Sequence, residues 1–450
     1  MMENQSKMQC DKPIPAGYKL TEVGVIPEDW FVEPLTIITE PKRPISYGIV
    51  QTGPSVINGV PCIRVVDISN GKIQTDNLIT TSEKISASYR RTILKKGDIV
   101  IPLRGKVGEI AIVDKYTHGA NLTRGVALIS LKKEYDSRYI RQYLSCKDSA
   151  DRFLASMNGS ALQEITIATL RRFPLARPNS LKEQIAIGKV LSDTDALITE
   201  LEQLITKKHA IKTATMQQLL TGRTRLPQFS KYSDGTVKGY KTSEQGQIPE
   251  DWDYVTIGEF TDCTAGGTPL TSKQSYWGGT NPWMSSGELH LRQVYDVAER
   301  ITDEGLANSS TKYIPKNSVL IGLAGQGKTR GTVAIARISL CTNQSIAAIF
   351  PSDSHSAEYL YYNLDSRYEE LRSLSTGDGG RGGLNLKIIR SLLIPFPNLH
   401  EQIAIATVLS DMDAELTTLE QKLAKVRDIK QGMMQQLLTG RIRLPLDHHS

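Results

Sequence analysis

The sequence predicts an α+β chain. Two β-rich mixed globular domains stand in a pseudo-two-fold arrangement, joined by two long helices that form an antiparallel intramolecular coiled coil. Three observations carry this. The stretch from Leu181 to Pro227 recurs from Leu399 to Pro445 at a constant offset of 218 positions, with 30 of 47 residues identical. Within each copy, a mostly apolar seam steps by fours and threes. A second repeat, GYKLTEVGVIPEDW at 17–30 and GYKTSEQGQIPEDW at 239–252, opens each half. Duplication on this scale points to a two-fold architecture made from one chain.

The helices come first because the domains are arranged about them. In the second copy Ile405, Leu409, Met412, Leu416, Leu419, Leu423, Val426, Met433 and Leu437 make a heptad seam, with Lys430 in its one gap. The first copy places Ile187, Leu191, Thr194, Ile198, Leu201, Ile205 and Leu219 at the same steps. Its seam is more polar, with Lys208, Lys212 and Thr215, which leaves open how tightly the rods zip there. Gly222 and Gly440 follow the apolar runs and suit left-handed C-terminal caps. About 40 helical residues span about 60 Å, too long for the core of one domain, so the two rods cover each other's seams. Both halves run domain-then-helix, so a dyad across the rods makes them antiparallel, with Leu201 and Leu419 near mid-seam. The alternative is two amphipathic helices, each packed on its own domain. Asp193, Asp195, Asp411 and Asp413, near the rod starts, read as solvated helix charges.

At 450 residues the chain is long enough for two to four domains. A net charge of +6 and a pI near 8.8 permit nucleic-acid binding without requiring it. The five cysteines (Cys10, Cys62, Cys146, Cys263, Cys341) form no CxxC pair, which fits a reducing cytosol and gives neither a disulfide framework nor a zinc site. The histidines show no metal-ligand spacing, and His448 and His449 read as tail. With no signal segment and no apolar run of membrane-spanning length, a soluble cytoplasmic protein without membrane contact is expected.

In chain order, residues 1–15 read as a disordered arm, 16–180 as the first globular domain, 181–227 as the first rod and 228–238 as a polar linker. Residues 239–398 form the second domain, 399–445 the second rod and 446–450 a tail. The two middles share landmarks despite their divergence. Gly97–Val113 and Asn317–Ala336 both read as strand, glycine-rich turn, strand. Tyr139–Leu144 and Tyr359–Leu364 both start short helices.

One motif invites a nucleotide-binding reading. Gly322-Leu-Ala-Gly-Gln-Gly-Lys-Thr329 matches the phosphate-loop pattern GxxxxGK[ST]. A phosphate loop must open a helix whose N-terminal amides hold the phosphates, but Arg330–Ala336 is a β-branched run broken by glycine. A basic hairpin tip suits DNA better. Lys328, Thr329 and Arg330, with Arg104 and Lys106 in the first half, can reach phosphates or guanine edges. Each of these cations reads equally as a solvated turn charge. Trp277 can stack on a base or sugar or fill a core, whereas Trp283 reads as core. No catalytic constellation and no S-adenosylmethionine loop is legible.

Taken together, IPEDW before each domain, YGIVQTG at 47–53, GGTP at 266–269, GQGKTRG at 325–331 and EQIAI…LLTGR in both rods give a chain that resembles the specificity subunit of type I restriction-modification systems. The resemblance covers nearly the whole chain. It implies that the globular parts are target recognition domains, each reading one half of a split asymmetric site in double-stranded DNA. It implies that the rods are conserved spacer regions, and that the subunit is non-catalytic. Two modification subunits would carry methyl transfer and restriction subunits cleavage, so S-adenosylmethionine, ATP and Mg belong to those partners and this chain needs no cofactor or metal. The rival classes are an ATP-using enzyme built on Gly322–Thr329 and a non-DNA coiled-coil scaffold.

Overall fold

The repeated segments fold into the same elements twice. The computed structural model describes residues 13–106, 108–157, 164–325, 328–374 and 383–445. Residues 1–12 of the expected N-terminal arm, Cys10 among them, and the expected tail with His448 and His449 lie outside the described residues. The chain divides into two units, one made of residues 1–202 with 421–450 and the other of residues 203–420.

In the first unit the opening segment is a hairpin, Tyr18–Thr21 against Gly24–Pro27. Strand Trp30–Pro34 pairs antiparallel with Pro174–Pro178, just before the first rod. A four-stranded sheet runs Ala111–Ile112, Ile99–Pro102, Val126–Ile129, Ser46–Tyr47, with antiparallel neighbours throughout. A three-stranded sheet, Asn121–Leu122, Val60–Ile63, Ile79–Thr81, stands beside it in the chain path. The second unit repeats the pattern. It has a hairpin of Tyr240–Ser243 and Gly246–Pro249, a strand pair of Asp253–Thr256 with Leu393–Phe396, and sheets of five and four strands. The strand–turn–strand reading holds in both halves, at Ala111↔Val100 and Val319↔Ile335. So do the short helices, at Ser137–Ser145 and Ala357–Ser366.

The rods are single helices, Leu181–Leu219 and Leu399–Leu437, of 39 residues each. Among the described residues no helix is long and apolar enough to cross a membrane. Each rod contributes its first part to one unit and its second part to the other. Their antiparallel sense is legible within each unit separately. In the first unit Glu183 meets Arg443, Asp195 meets Lys430 and Glu202 meets Arg427. In the second, Lys208 meets Glu415, Lys212 meets Asp413 and Arg225 meets Glu401. Residue numbers rise on one helix as they fall on the other. Ile187, Leu191, Leu201, Leu219, Ile405, Leu409, Leu416, Leu423 and Leu437 are buried. Ile198, Ile205, Met412, Leu419, Val426 and Met433 are half-buried, so no seam residue is left in solvent.

The rods do more than cover each other. Ile187, Leu191, Leu437 and Leu438 belong to the same core as Trp30, Tyr139 and Phe153 in the first unit. Met216, Leu219, Leu220, Ile405 and Leu409 belong with Trp252, Tyr359 and Ile394 in the second. Pairing with the other rod and packing on a domain are therefore both present. Burying each such leucine-sized side chain contributes roughly 1.5–3 kcal/mol.

The polar seam positions are filled by charge pairs, which corrects the reading of Asp195 and Asp413 as solvated. Asp195 accepts from Lys430 at 2.7 Å, from Gln142 Nε2 at 2.7 Å and from Arg141. Asp413, its repeat equivalent, holds Lys212, while the Tyr362 hydroxyl donates to it at 2.8 Å. A lysine at a seam position reaches an aspartate of the other rod, and the domain beside it closes the contact. Asp193 stays exposed beside Lys189, as expected, and Asp411 is also exposed.

The rod ends are fixed by a second repeated cluster. Arg225 and Glu401, at 5% and 0% exposure, lie 2.7 Å apart, and Arg225 also reaches Asp251 at 2.8 Å. Arg443 joins Glu183 and Asp29 in the same way. The cap glycines sit against this cluster. Gly222 has φ +70°, and a Cβ there would lie 2.5 Å from Pro249 Cδ; Gly440 has φ +68°, and a Cβ would lie 2.4 Å from Pro27 Cγ. The motifs IPEDW and TGRxRLP are thus two sides of one joint.

Two predictions follow from these contacts. Gly222→Ala places a methyl group in a left-handed turn against proline and should destabilise the second unit by more than 1 kcal/mol, about the usual cost of a glycine position. Gly432→Ala, in the second rod with open space around it, should stabilise by about 0.4–1 kcal/mol. Chemical denaturation of both variants checks the contrast, and equal effects would count against the joint. The second prediction is pH dependence. Burial raises the Asp195 carboxyl, but Lys430, Arg141 and Gln142 outweigh it and hold it below its ordinary value. A depressed carboxylate contributes stability above its unfolded value, near about 3.9, and loses it as pH falls through the folded value. Asp195→Asn should therefore lower the thermal midpoint near neutrality and flatten its decline below about pH 4. Parallel melting curves across pH would remove Asp195 from the seam's charge balance.

Candidate nucleic-acid interface

The hairpin tips predicted to face DNA are built differently in the two units. In the first, Arg104 is half-buried, and its backbone forms an isolated antiparallel β-bridge with that of Glu164. A Cβ at Gly125 would lie 3.4 Å from Arg104 Nε, so the glycine leaves room for this guanidinium. Lys106 Nζ donates to Ile68 O at 2.9 Å and Val66 O at 3.4 Å. The ammonium ties the hairpin to the turn that begins at Val65, a turn itself clamped by Arg64 and Asp67 at 2.7 Å. Arg104 and Lys106 thus share one turn, in which the Lys106 ammonium is held by backbone carbonyls.

In the second unit Lys328 is exposed, while Thr329 and Arg330 are half-buried. The Lys328 carbonyl accepts from Thr332 Oγ1 at 2.6 Å and from the Tyr368 hydroxyl at 3.0 Å, which fixes the backbone carrying its side chain. Gly331 N donates to Gly322 O at 2.9 Å, and Gly322 N to Thr332 O at 3.0 Å. Residues 326 and 327 of the GQGKTRG motif lie outside the described residues.

This geometry settles what the phosphate-loop pattern does here. Strand Val319–Gly322 turns back into strand Val333–Ala336, so a strand stands where a phosphate loop needs a helix N-terminus. A Cβ on Gly322 would lie 2.3 Å from Thr329 O. The glycine is there because two backbone segments cross, and among the described residues of the motif no helix N-terminus stands where a phosphate would be held.

Trp277 lies apart from the tip, on strand Trp277–Met284. Its ring meets Trp283 edge-on, with centroids 5.0 Å apart at 85°, and its Nε1 donates to Leu270 O at 3.3 Å. Trp283 is core, as read, and Trp277 packs against the same small cluster with Ile301 and Cys341. Trp283 Nε1 donates to Gly267 O at 3.0 Å, which gives GGTP a packing role as well. Among the described residues no group of three or more His, Cys, Asp or Glu is placed to hold a metal ion.

The sequence reading passed over Tyr89-Arg90-Arg91-Thr92. Arg90 and Arg91 are exposed at the end of a short helix, and two adjacent cations following a tyrosine were the available signal.

Comparison with known proteins places this architecture. The family described as "Type I restriction modification DNA specificity domain" matches residues 55–213 and 249–427. The putative type I restriction enzyme MjaX specificity subunit of Methanocaldococcus jannaschii is 27% identical over 451 residues, spanning 95% of this chain and 97% of the relative. The type I restriction enzyme MjaIX specificity subunit of the same organism is 35% identical over 181 residues, 39% of this chain and 40% of the relative. The crystal structure of a type I restriction-modification system S subunit from M. genitalium aligns with a TM-score of 0.58 at 16% identity, over 93% of this chain and 97% of that one, a likeness of fold. With most of both globular regions and most of both rods inside the matched spans, the chain belongs to the type I restriction-modification DNA specificity family.

Proposed function

We propose that this chain is the DNA-recognition subunit of a type I restriction-modification complex in which each globular region reads one half of a bipartite, asymmetric duplex target. The observation that carries the reading is one repeat with two kinds of residue in it. The rods, the cap joints and the strand pairs beside them recur as the same elements, with 30 of 47 residues identical across the rod segments, whereas the hairpin tips carry Arg104 and Lys106 in one unit and Lys328, Thr329 and Arg330 in the other. A repeated scaffold with different tips suits two different half-sites. Side chains on base edges supply the choice of sequence, and cations on phosphates supply salt-sensitive affinity. Trp277, half-buried and packed on Trp283, leaves part of its ring available to stack on a base or sugar.

On this reading residues 16–180 and 239–398 are the target recognition domains and the rods set the distance between half-sites. Two modification subunits dock on the assembly, and restriction subunits join for cleavage. Methylating a base inside a duplex requires flipping it out, a task for the modification subunits. S-adenosylmethionine, ATP and Mg act on those partners.

The ruler is tested by adding one heptad to each rod, after residues 203 and 421, which keeps the seam in phase. About 10 Å is added, about three base pairs at 3.4 Å each. Mapping modified bases in cells carrying the assembled system should show the same half-sites at a longer spacing. Altered half-sites at the old spacing would overturn it. At the second tip, Lys328→Ala combined with Arg330→Ala should relax the half-site read by residues 251–398, at about 1–3 kcal/mol per lost base contact. A single-base-altered panel of targets reads this, and an unchanged preference would exclude these side chains from base contact.

A further inference from the structure

The first unit carries a cationic cleft away from its glycine hairpin. The cleft encloses about 630 Å³ and is lined by Tyr47, Tyr89, Arg90, Arg91, Thr92 and Arg171, among others. That volume lies within the range of ligand-binding cavities. Among the described residues lining it there are three arginines and no carboxylate. Elsewhere in the unit Arg43, Arg64, Arg138, Arg141, Arg177 and Arg443 each pair with Asp or Glu, so their charge is already balanced within the protein. Arg171 Nη2 donates to Ile45 O at 2.8 Å and forms a wall. Arg90 and Arg91 make no ion pair or side-chain hydrogen bond among the described residues, and both are exposed.

The backbone under the two arginines is fixed. Thr92 N donates to Tyr89 O at 3.0 Å, and Tyr89 N to Ser86 O at 2.9 Å. Thr92 Oγ1 donates to Oδ1 of Asn121 at 2.7 Å, and Asn121, 0% exposed, donates through Nδ2 to Ser86 Oγ at 3.1 Å. A buried network therefore holds a short turn that presents two adjacent guanidinium groups to the cleft. Tyr47, 49% exposed on the edge strand, offers an aromatic face beside them.

We infer that this cleft receives the sugar-phosphate backbone of duplex DNA, with Arg90 and Arg91 on phosphate oxygens; the inference rests on the DNA-recognition reading and deepens it. Guanidinium forks match phosphate geometry in two-pronged contacts. The cleft's described lining holds no Asn, Gln, Asp or Glu, the side chains that distinguish adenine and cytosine edges. With Arg90 and Arg91 on phosphate oxygens the cleft positions DNA, since contacts to the backbone carry no sequence information directly. The second unit lacks the pair. After its equivalent helix, Asp303–Ala307, the turn reads Asn308-Ser309-Ser310-Thr311. The two units therefore grip the backbone unequally.

The test uses the full chain assembled with its modification subunits and a fluorescein-labelled random-sequence duplex, over a salt series. The variant is Arg90→Ser with Arg91→Ser, which installs residues the second unit tolerates in the same turn. Each phosphate contact contributes about 0.9 to the slope of log affinity against log salt. The variant's slope should be shallower by about 1.8, so over a fourfold rise in salt it should lose about tenfold less affinity than wild type. Arg90→Lys with Arg91→Lys should restore the slope, and the bases modified in cells should be unchanged. A serine variant with wild-type affinity and slope overturns the inference while leaving the DNA-recognition reading in place. A changed set of modified bases also overturns it, because the cleft then reads sequence. A wild-type assembly that fails to bind any duplex at low salt overturns the DNA-recognition reading and the inference together.

Discussion

The arginine–glutamate joint at the rod ends is the contact on which the rest depends. Arg225 lies between Glu401 and Asp251, and Arg443 between Glu183 and Asp29. Burial disfavours the charge on Arg225, but Glu401 and Asp251 more than compensate, so its pKa rises. Opening such a pair by removing one partner typically costs roughly 3–5 kcal/mol, because the other charge is left buried. In both units the joint brings together the end of one rod, the start of the other and the IPEDW turn. That convergence brings seam leucines into contact with the domain cores. Without it, the heptad pattern alone would allow the rods to slide by a heptad.

Much of this fold was legible because it was written twice. The offset repeat revealed the rods, the seam spacing revealed their buried face, and Gly222 and Gly440 marked where they stop. What periodicity could not reveal was polar. Asp195 and Asp413 look like surface charges in a helical sequence, since nothing local distinguishes an aspartate facing solvent from one facing a lysine on another helix. Their partners, Lys430 and Lys212, lie more than 200 positions away. The same holds for Asp29, whose carboxyl is kept low first by its hydrogen bond to Arg443.

The interface was less legible than the scaffold. The hairpins stand where the sequence placed them, and the strand after Thr329 was foreseen from its β-branched residues. The surroundings of each cation were not. Lys106 is occupied by carbonyls of a turn some 40 positions earlier, a contact no motif records. Trp277 reads from sequence as either stacking or core, and the structure packs it edge-on against Trp283 while leaving it half-buried. Arg90 and Arg91 were passed over because sequence shows a charge but not whether a carboxylate lies opposite it.

The crossing of the rods between units also bears on how the chain can be made. The first unit's core includes Leu437 and Leu438, and its joint includes Arg443, all of which leave the ribosome after the whole of the second unit. The second unit is contiguous in sequence, from 203 to 420, and can close as soon as it emerges. The N-terminal unit must wait for the last layer of its core, which Leu437 and Leu438 supply. Vectorial synthesis therefore reverses the usual order for this protein: the part translated first is the part completed last.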